Sequence, residues 1–294
     1  MSRDWTARFA DIASKKTRAA LTATLPPYET AREAGFPGAV PVANDWSRAM
    51  FDGPFLVSPA RDDRPSCSLV FVQSADGNTG ARDPGDLGGG DTDKHLIYEG
   101  LSRVAADAVL AGAETIRSGN VILSVWHPEL VALRASLGKP RHPIQVVATL
   151  RGLDLDAGLL YNLPEIPVIM ITVAAARERM TAALQSRPWI RVIEMTAPDD
   201  LPRAFAELGG MGIGVVSCIG GRTLAGGLLD ANLIDDVYLT TAPEPGGEPN
   251  TPLHSKPWQG EVVLRKQGTG SEAGVRFEHI HAPVVADRMA GDRS

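Results

Sequence analysis

Short apolar runs and longer amphipathic segments alternate along the chain from residue 68 to residue 242. Short apolar runs are typical of buried strands, and apolar positions spaced by three and four residues are typical of helices. The predicted strands are 68–73, 107–112, 143–149, 167–173, 189–195, 213–219 and 235–242. The predicted helices are 91–105 with Asp91 as N-cap, 128–138, 174–186, 199–210 and 221–232. This alternation predicts an α/β fold with a mostly parallel sheet that is covered on both faces.

The last part of the chain predicts an antiparallel hairpin. Its strands are 261–268 and 274–281, and we expect them at one edge of the sheet. His279 and His281 alternate along the second strand and therefore share a face. No third ligand lies near them in the sequence, which argues against a metal site.

The N-terminal region has a different pattern. Residues 1–21 predict a helix with Trp5, Phe9 and Ile12 on one face. Residues 25–66 are rich in proline and glycine, which predicts an extended, loop-rich segment. Its aromatic residues indicate packing on the main body. The predicted organisation is an extension over 1–65, a main domain over 66–284 and a disordered tail over 285–294.

Composition excludes several classes of protein. The chain has 294 residues, 44% of them hydrophobic, and a net charge of −6, which argues against a nucleic-acid partner. No apolar run approaches the ~20 residues of a membrane span, and the first residues do not resemble a signal peptide. Cys67 and Cys218 fit neither a disulfide framework nor a zinc cluster. We therefore expect a cytoplasmic protein that contacts no membrane.

Ligands of open α/β sheets bind at the carboxyl ends of the strands. Ser74, Asp76 and Gly77 follow the first predicted strand. Gly77 would let the backbone approach a ligand, and Asp76 could accept a hydrogen bond or hold a proton. An ordinary Asp-Gly turn is the alternative interpretation.

Two other strand ends suit a nucleotide. Gly112 and Thr115 follow the second predicted strand. Gly220 and Gly221 turn from a strand into a helix that begins with Arg222, Thr223 and Leu224, and free amides at such a helix start favour an anion. The spacing is not that of the dinucleotide-binding fingerprint, which argues against a Rossmann-type dehydrogenase. A tight strand-to-helix turn without a ligand is the alternative.

Thr149, Arg151 and Thr172 form a polar set at two later strand ends. They could line an adenine ribose, with Arg151 on a 2′-phosphate, and that arrangement would favour NADPH over NADH. The alternative for Arg151 is a solvated loop residue.

Taken in this order, the four sites resemble the RibD C-terminal domain family, the reductases of riboflavin synthesis. The similarity extends over about residues 66–282. It is carried by four runs: SLVFVQSADG, HLIYEGLSRVAADAVLAGAETIRSG, PIQVVATLRGLDLDAGLL and VVSCIGGRTLAGGLLDANLIDDVYLTTAP. The N-terminal segment lacks the H-x-E and P-C-x-x-C sequences of the zinc deaminase that is often fused to this family.

The resemblance implies a dihydrofolate-reductase-like three-layer α/β/α sandwich, NADPH as cofactor, no metal and a homodimer. It implies substrate contacts from Ser74 to Gly77. Asp76 is the only obvious acid in this loop and is therefore the candidate catalytic residue. The implied cofactor contacts are Gly112, Thr115, Thr149, Arg151, Thr172, Gly220, Gly221, Arg222, Thr223 and Leu224.

Two positions depart from the riboflavin enzymes. Those enzymes carry a lysine where this chain has Val70, and a glutamate where it has Ile219. We expect both positions at strand ends that face the ligand. Two lost charge-assisted bonds at roughly 1.5–3 kcal/mol each would weaken binding of a phosphoribosylaminopyrimidine.

The sequence therefore predicts an NADPH-dependent reductase of a pyrimidine- or pterin-like heterocycle with an altered substrate site. A non-catalytic nucleotide-binding paralogue and a true 5-amino-6-(5-phosphoribosylamino)uracil reductase are the alternatives.

Overall fold

The computed structural model of the protein describes residues 4–81, 84–117, 121–256 and 258–282. The expected tail at 285–294 lies outside these ranges. The described helices are α1 Trp5–Thr22, α2 Asp45–Phe51, α3 Gly90–Thr92, α4 Ala113–Ile116, α5 Pro128–Ser136, α6 Ala174–Arg179, α7 Thr181–Gln185, α8 Leu201–Gly210 and α9 Arg222–Asp230. Helix α3 continues as a π-helix over Asp93–Leu101, and short 3-10 helices span Pro84–Leu87, Leu159–Asn162 and Gly270–Glu272.

The described strands are β1 Tyr28–Glu33, β2 Val40–Val42, β3 Phe55–Val57, β4 Ser66–Gln73, β5 Ala108–Gly112, β6 Ile144–Thr149, β7 Val168–Val173, β8 Ile190–Met195, β9 Val215–Cys218, β10 Asp236–Thr241, β11 Glu261–Gly268 and β12 Arg276–His281. Each strand predicted from residue 68 onward is present within one or two residues of its expected bounds. The short apolar sequences of the central parallel strands β4, β5, β9 and β10 are mostly buried, as expected for parallel strands under two helical layers.

One large sheet organises the described chain, with the strand order β1-β11-β12-β10-β4-β9-β5-β6-β7-β8. All pairs from β10 to β8 are parallel, and β1, β11 and β12 pair antiparallel. The mostly parallel sheet with a C-terminal antiparallel hairpin is therefore confirmed. The expected position of the hairpin at the edge was wrong, because β1 pairs with β11 and forms the edge itself.

Two helical layers cover the sheet and complete a three-layer sandwich. On one face, α8 and α9 bury apolar side chains such as Phe205 and Leu228 against the strands. On the other face, α1, the π-helix and α5 supply residues such as Leu96 and Leu130. Trp5, Phe9 and Ile12 of α1 pack on this second layer, as the helical pattern predicted.

The proline-rich segment 25–66 contains more regular structure than its sequence predicted. It forms three strands and helix α2, and β1 joins the main sheet. Phe51 and Phe55 from this segment are fully buried in the core. This segment therefore contributes aromatic side chains to the core and a strand to the main sheet.

Two predicted helices begin or continue differently. Asp91 is not the N-cap, because α3 begins at Gly90 and Gly89 precedes it. The first-turn amide of Thr92 instead donates to Glu272 Oε1 at 3.0 Å, from the turn between β11 and β12. The helix expected over 174–186 is divided at Met180, whose buried sulfur accepts from the amide of Leu153 at 3.3 Å.

A buried carboxylate joins the two histidines of β12. Asp236 Oδ1 lies 2.8 Å from both His279 Nε2 and His281 Nδ1. Burial raises the pKa of Asp236, but the hydrogen bonds from both histidines outweigh burial and hold that pKa at about 2. The shared face of His279 and His281 is confirmed, and their ring nitrogens bond a carboxylate of the core.

Two further carboxylates hold the amino ends of the parallel strands. Asp107 Oδ2 accepts from the amides of Gly214 and Val215 at 3.0 Å each, which ties the start of β5 to the start of β9. Asp235 Oδ2 accepts from the amide of Cys67 at 2.8 Å, which ties β10 to β4.

None of the described helices is long and apolar enough to cross a membrane.

Asp235 also compensates two guanidinium groups, at 2.7 Å from Arg61 and 2.8 Å from Arg64. We predict that Asp235→Ala lowers the free energy of unfolding by ~3–5 kcal/mol, because it leaves partly buried cations and a strand amide without their acceptor. Chemical denaturation measures the loss. The control is Asp11→Ala, which breaks the exposed 2.8 Å pair with Lys15 and should cost at most about 1 kcal/mol. Equal losses in the two variants would show that the contacts of Asp235 with Arg61, Arg64 and the Cys67 amide do not stabilise the fold more than an exposed ion pair does.

Candidate active site

The loop after β4 is joined to the loop after β10. The amide of Ala75 donates to Glu244 O at 2.9 Å, and Ser74 Oγ lies at the same distance from Gly246 O. The backbone of Thr79 and the side chain of Asn78 both bond Thr251. Ser74 is fully buried, so its hydroxyl holds the two loops together at the carboxyl edge of the sheet.

Asp76 lies on the exposed side of this loop. Its Oδ1 is 2.5 Å from Ser74 Oγ and 3.3 Å from the amide of Gly246. The hydrogen bond from Ser74, followed by that from Gly246, lowers the pKa of Asp76. The carboxyl group is therefore ionised near neutral pH and can accept a hydrogen bond from a ligand, but it is a poor proton donor. Its assignment as the catalytic residue stays a prediction.

A second carboxyl group, Asp93, lies at the carboxyl ends of β4 and β10. Its Oδ1 accepts from Thr240 Oγ1 of β10, and its other oxygen packs on Gly89, next to Val72 of β4. The pKa of Asp93 is raised to about 7. Burial is the largest cause, the hydrogen bond from Thr240 lowers the pKa, and the charge of Glu272 raises it. This group can therefore hold and release a proton near neutral pH.

Sequence reasoning missed Asp93. It considered only residues that directly follow a strand, and Asp93 is on the helix after a long glycine-rich loop. Thr240, near the end of β10, shows the pattern that singled out Thr149 and Thr172. That pattern could have identified the partner of Asp93, although not Asp93 itself.

The glycine turn after β9 lies directly beside the end of β5. The amide of Gly112 donates to Gly220 O at 3.2 Å, and a Cβ on Gly112 would lie 4.0 Å from Leu224 Cβ. Gly220 has φ +100 and packs on the ring of Phe71, while Gly221 has φ +70 and faces open space. The structure thus brings these predicted cofactor residues together.

The start of α9 is suited to an anion. Its N-cap is Gly221, which has no side chain to bond the first-turn amides of Arg222, Thr223 and Leu224. Arg222 is exposed and lies 3.2 Å from Glu248, and Thr223 is exposed. Thr115 is half-buried on α4, which follows Gly112. These features fit a phosphate group that approaches the glycine turn.

The third predicted set lies at the ends of β6 and β7. Thr172 is fully buried and donates to Thr149 O at 2.7 Å, and Thr149 Oγ1 accepts from the amide of Gly152 at 3.1 Å. Both hydroxyl groups thus shape the strand ends. Arg151 is exposed, and its carbonyl accepts from Arg179 Nε at 3.2 Å, so a second guanidinium lies beside it.

Val70 and Ile219 are both buried in the apolar core. Ile219 directly follows β9, at a strand end as expected. The expectation for Val70 was wrong, because Val70 lies within β4, opposite Tyr238 of β10. Its side chain packs in the cluster that contains Tyr28 and Phe277. The register of β4 with β10 sets this position, and the motif alone did not show it.

The model of the RibD C-terminal domain matches residues 65–270, well over half of the chain. This chain belongs to the RibD C-terminal domain family. The resemblance that the motifs carry is therefore confirmed. Among proteins of curated function, none matches the sequence at a significant level.

Solved structures share the fold of this RibD C-terminal domain protein. A pyrimidine reductase-like protein from Corynebacterium diphtheriae has a TM-score of 0.60 and 23% identity, covering 74% of this chain and 92% of its own. RibD from Acinetobacter baumannii has a TM-score of 0.56 and 18% identity, over 75% of this chain and 58% of its own. The riboflavin biosynthesis reductase Rib7 of Saccharomyces cerevisiae has a TM-score of 0.52 and 16% identity, over 75% and 91%. These similarities confirm the expected fold.

The glycine turn generates a binding prediction. If a nicotinamide cofactor binds at this turn, Gly221→Ala should weaken its binding at least about tenfold, because a side chain at φ +70 strains the turn that presents the α9 amides. Fluorescence titration measures the dissociation constant. Gly138→Ala is the matched control, since Gly138 has φ +68, faces open space and follows α5 far along the chain from this turn. Unchanged affinity in a folded Gly221→Ala protein would place the phosphate elsewhere.

Proposed function

We propose that this protein is an NADPH-dependent reductase of a pyrimidine- or pterin-like heterocycle. The observation that carries the proposal is the Asp93 carboxyl group, which can hold a proton at the carboxyl edge of the central strands. Strand β4 connects it to the glycine turn, because Phe71 packs on Gly220 and the next residue, Val72, packs beside Gly89 and Asp93. Membership of a family named for a riboflavin-pathway reductase supports the same reaction class.

Reduction of a C=N or C=O bond adds a hydride to carbon and a proton to nitrogen or oxygen. A nicotinamide cofactor would supply the hydride. The chain's own residues then have two tasks, to orient the reactants and to provide the proton. Asp93 is suited to the second task, because a general acid is most effective when its pKa is close to the working pH. Asp76, which is ionised, is suited to accepting a hydrogen bond from the substrate.

The choice of NADPH rests on two exposed guanidinium groups. Arg151 follows β6, and Arg179 at the end of α6 donates to the Arg151 carbonyl, so the Arg179 guanidinium lies beside the loop that carries Arg151. A 2′-phosphate carries the negative charge that such a pair binds, and NADH lacks it.

The homodimer implied by the family remains a prediction.

The substrate is proposed to differ from that of the riboflavin enzymes. Val70 and Ile219 are buried among apolar side chains, so neither offers the charge that the family's lysine and glutamate offer. A ligand that relies on the family's lysine and glutamate finds no charged partner at these two positions, which favours an uncharged ring as the substrate.

A turnover assay tests the proposal. The purified protein should oxidise NADPH with a dihydropterin- or pyrimidine-type substrate. It should be at least about 100-fold slower with 5-amino-6-(5-phosphoribosylamino)uracil, the effect expected from two lost charge-assisted bonds. Asp93→Asn should reduce kcat by ~10²–10⁴ with NADPH affinity unchanged, because it removes the proton.

Each alternative has its own result in this assay. Efficient turnover of 5-amino-6-(5-phosphoribosylamino)uracil would identify a true reductase of the riboflavin pathway. Tight NADPH binding without turnover of any ring compound would identify a non-catalytic nucleotide-binding protein. Full activity in Asp93→Asn would remove the assigned role of Asp93.

Cofactor preference gives a separate prediction. Arg151→Gln should weaken NADPH binding roughly ten- to hundredfold, the effect of losing ~1.5–3 kcal/mol of charge-assisted bonding, and should leave NADH binding unchanged. Arg191→Gln is the control, because Arg191 is an exposed arginine on β8. A parallel loss of NADPH and NADH affinity would show that Arg151 does not contact the 2′-phosphate.

A further inference from the structure

Three acidic side chains meet beside the start of the π-helix. They are Tyr28 from β1, Asp93 from the helix and Glu272 from the 3-10 turn between β11 and β12. Asp93 and Glu272 both raise the pKa of Tyr28, after burial, which is the largest cause. The chain therefore places three groups of the same charge type in one small region.

Glu272 is fixed on the first turn of the helix. Its Oε1 accepts from the amide of Thr92, the residue before Asp93, at 3.0 Å. A Cβ on Gly90 would lie 2.5 Å from the Glu272 carboxyl carbon, so a glycine is needed for this approach. The turn itself is attached to the N-terminal segment, since Thr269 Oγ1 donates to Pro27 O at 2.5 Å.

The region excludes water from atoms that ordinarily bind it. Glu272 Oε2 and Tyr28 Oη are both buried and have no hydrogen-bond partner within the described residues. Tyr28 is 1% exposed and packs against Phe51 and Phe277. A carboxylate oxygen without a partner in such surroundings acts on neighbouring charges over a longer range than it would in water.

Asp93 is the neighbour on which this charge acts. Within the described chain, the groups that face Asp93 are Thr240 from β10, Glu272 from the hairpin turn and Tyr28 from β1. Thr240 donates one hydrogen bond, and neither of the other two is a cation. Lys94 and Asp91, on the exposed side of the same helix, lie 4.0 Å apart and pair with each other.

We propose that Glu272 is a positioning residue for Asp93: its carboxylate, fixed on the Thr92 amide and shielded from water, disfavours a second negative charge and adds to the effect of burial in keeping a proton on Asp93. This proposal rests on the proposed reductase function for its purpose, since the retained proton is the one that reduction consumes. It can be tested without turnover, because it concerns which carboxyl group carries a proton in the protein without substrate.

Carboxyl titration of the protein without substrate tests the proposal directly. Carbon-13 NMR or infrared difference spectra should show one carboxyl group of the wild type that titrates near pH 7. This titration should be absent in Asp93→Asn. In Glu272→Gln it should move to lower pH, because the neighbouring like charge is gone. Glutamine keeps an oxygen for the Thr92 amide.

Two further variants keep the test decisive. Glu261→Gln removes an exposed glutamate from the start of β11 and should leave the titration unchanged. Glu272→Asp shortens the side chain and moves its charge away from the helix. The midpoint of the Asp93 titration should then shift to lower pH by less than in Glu272→Gln. This variant serves as the test if Glu272→Gln does not fold. In an active preparation, the alkaline limb of the kcat profile should move by the same amount as the titration.

Two results would overturn the proposal. An unchanged midpoint in Glu272→Gln would show that Glu272 does not act on Asp93. A neutral titration that persists in Asp93→Asn and disappears in Glu272→Gln would show that Glu272 itself carries the proton. Failure to find a substrate would bear on the proposed function alone, since the titration needs none.

Discussion

The register of the central parallel strands depends on two carboxylates at their amino ends. A hairpin sets the register of antiparallel neighbours through its turn, but parallel neighbours are joined by long crossovers and need another constraint. Asp107 supplies it by accepting the amides of Gly214 and Val215, and Asp235 supplies it by accepting the amide of Cys67. Because these bonds fix where β9 and β4 begin, they also fix where those strands end.

The register also determines which residues lie next to each other at the carboxyl ends of the strands. Phe71 and Val72 are consecutive residues of β4, so their side chains point to opposite faces of the sheet. On one face the ring of Phe71 supports the turn at Gly220, and on the other Val72 packs beside Gly89 and Asp93. A shift of β4 by one residue would exchange these contacts and separate the proposed anion site from the proposed proton donor.

Local pattern and long-range contact explain what the sequence could and could not predict. Apolar runs predicted the parallel strands, because burial under two helical layers leaves that pattern in the residues themselves. Strand β1, Tyr28–Glu33, follows two prolines, and its strand structure comes from pairing with β11, far along the chain. Likewise, the glycine turn at Gly220 was predictable from its own residues. The raised pKa of Asp93 was not, because burial in the folded protein is its largest cause, and Thr240 and Glu272, which also act on it, belong to distant segments.

The apolar residue at position 70 and the protonated state proposed for Asp93 belong together. Val70 points to the same face of β4 as Val72, and its neighbour in the register is Tyr238, two residues before Thr240. A lysine there would bring a cation to the face of the sheet that carries Asp93 and would favour the ionised carboxylate. The core would also have to accommodate an ammonium group among Tyr28 and its aromatic neighbours. With valine at this position no cation from β4 opposes the protonated state proposed for Asp93, so the apolar residue at position 70 is consistent with a neutral carboxyl group as the proposed proton donor.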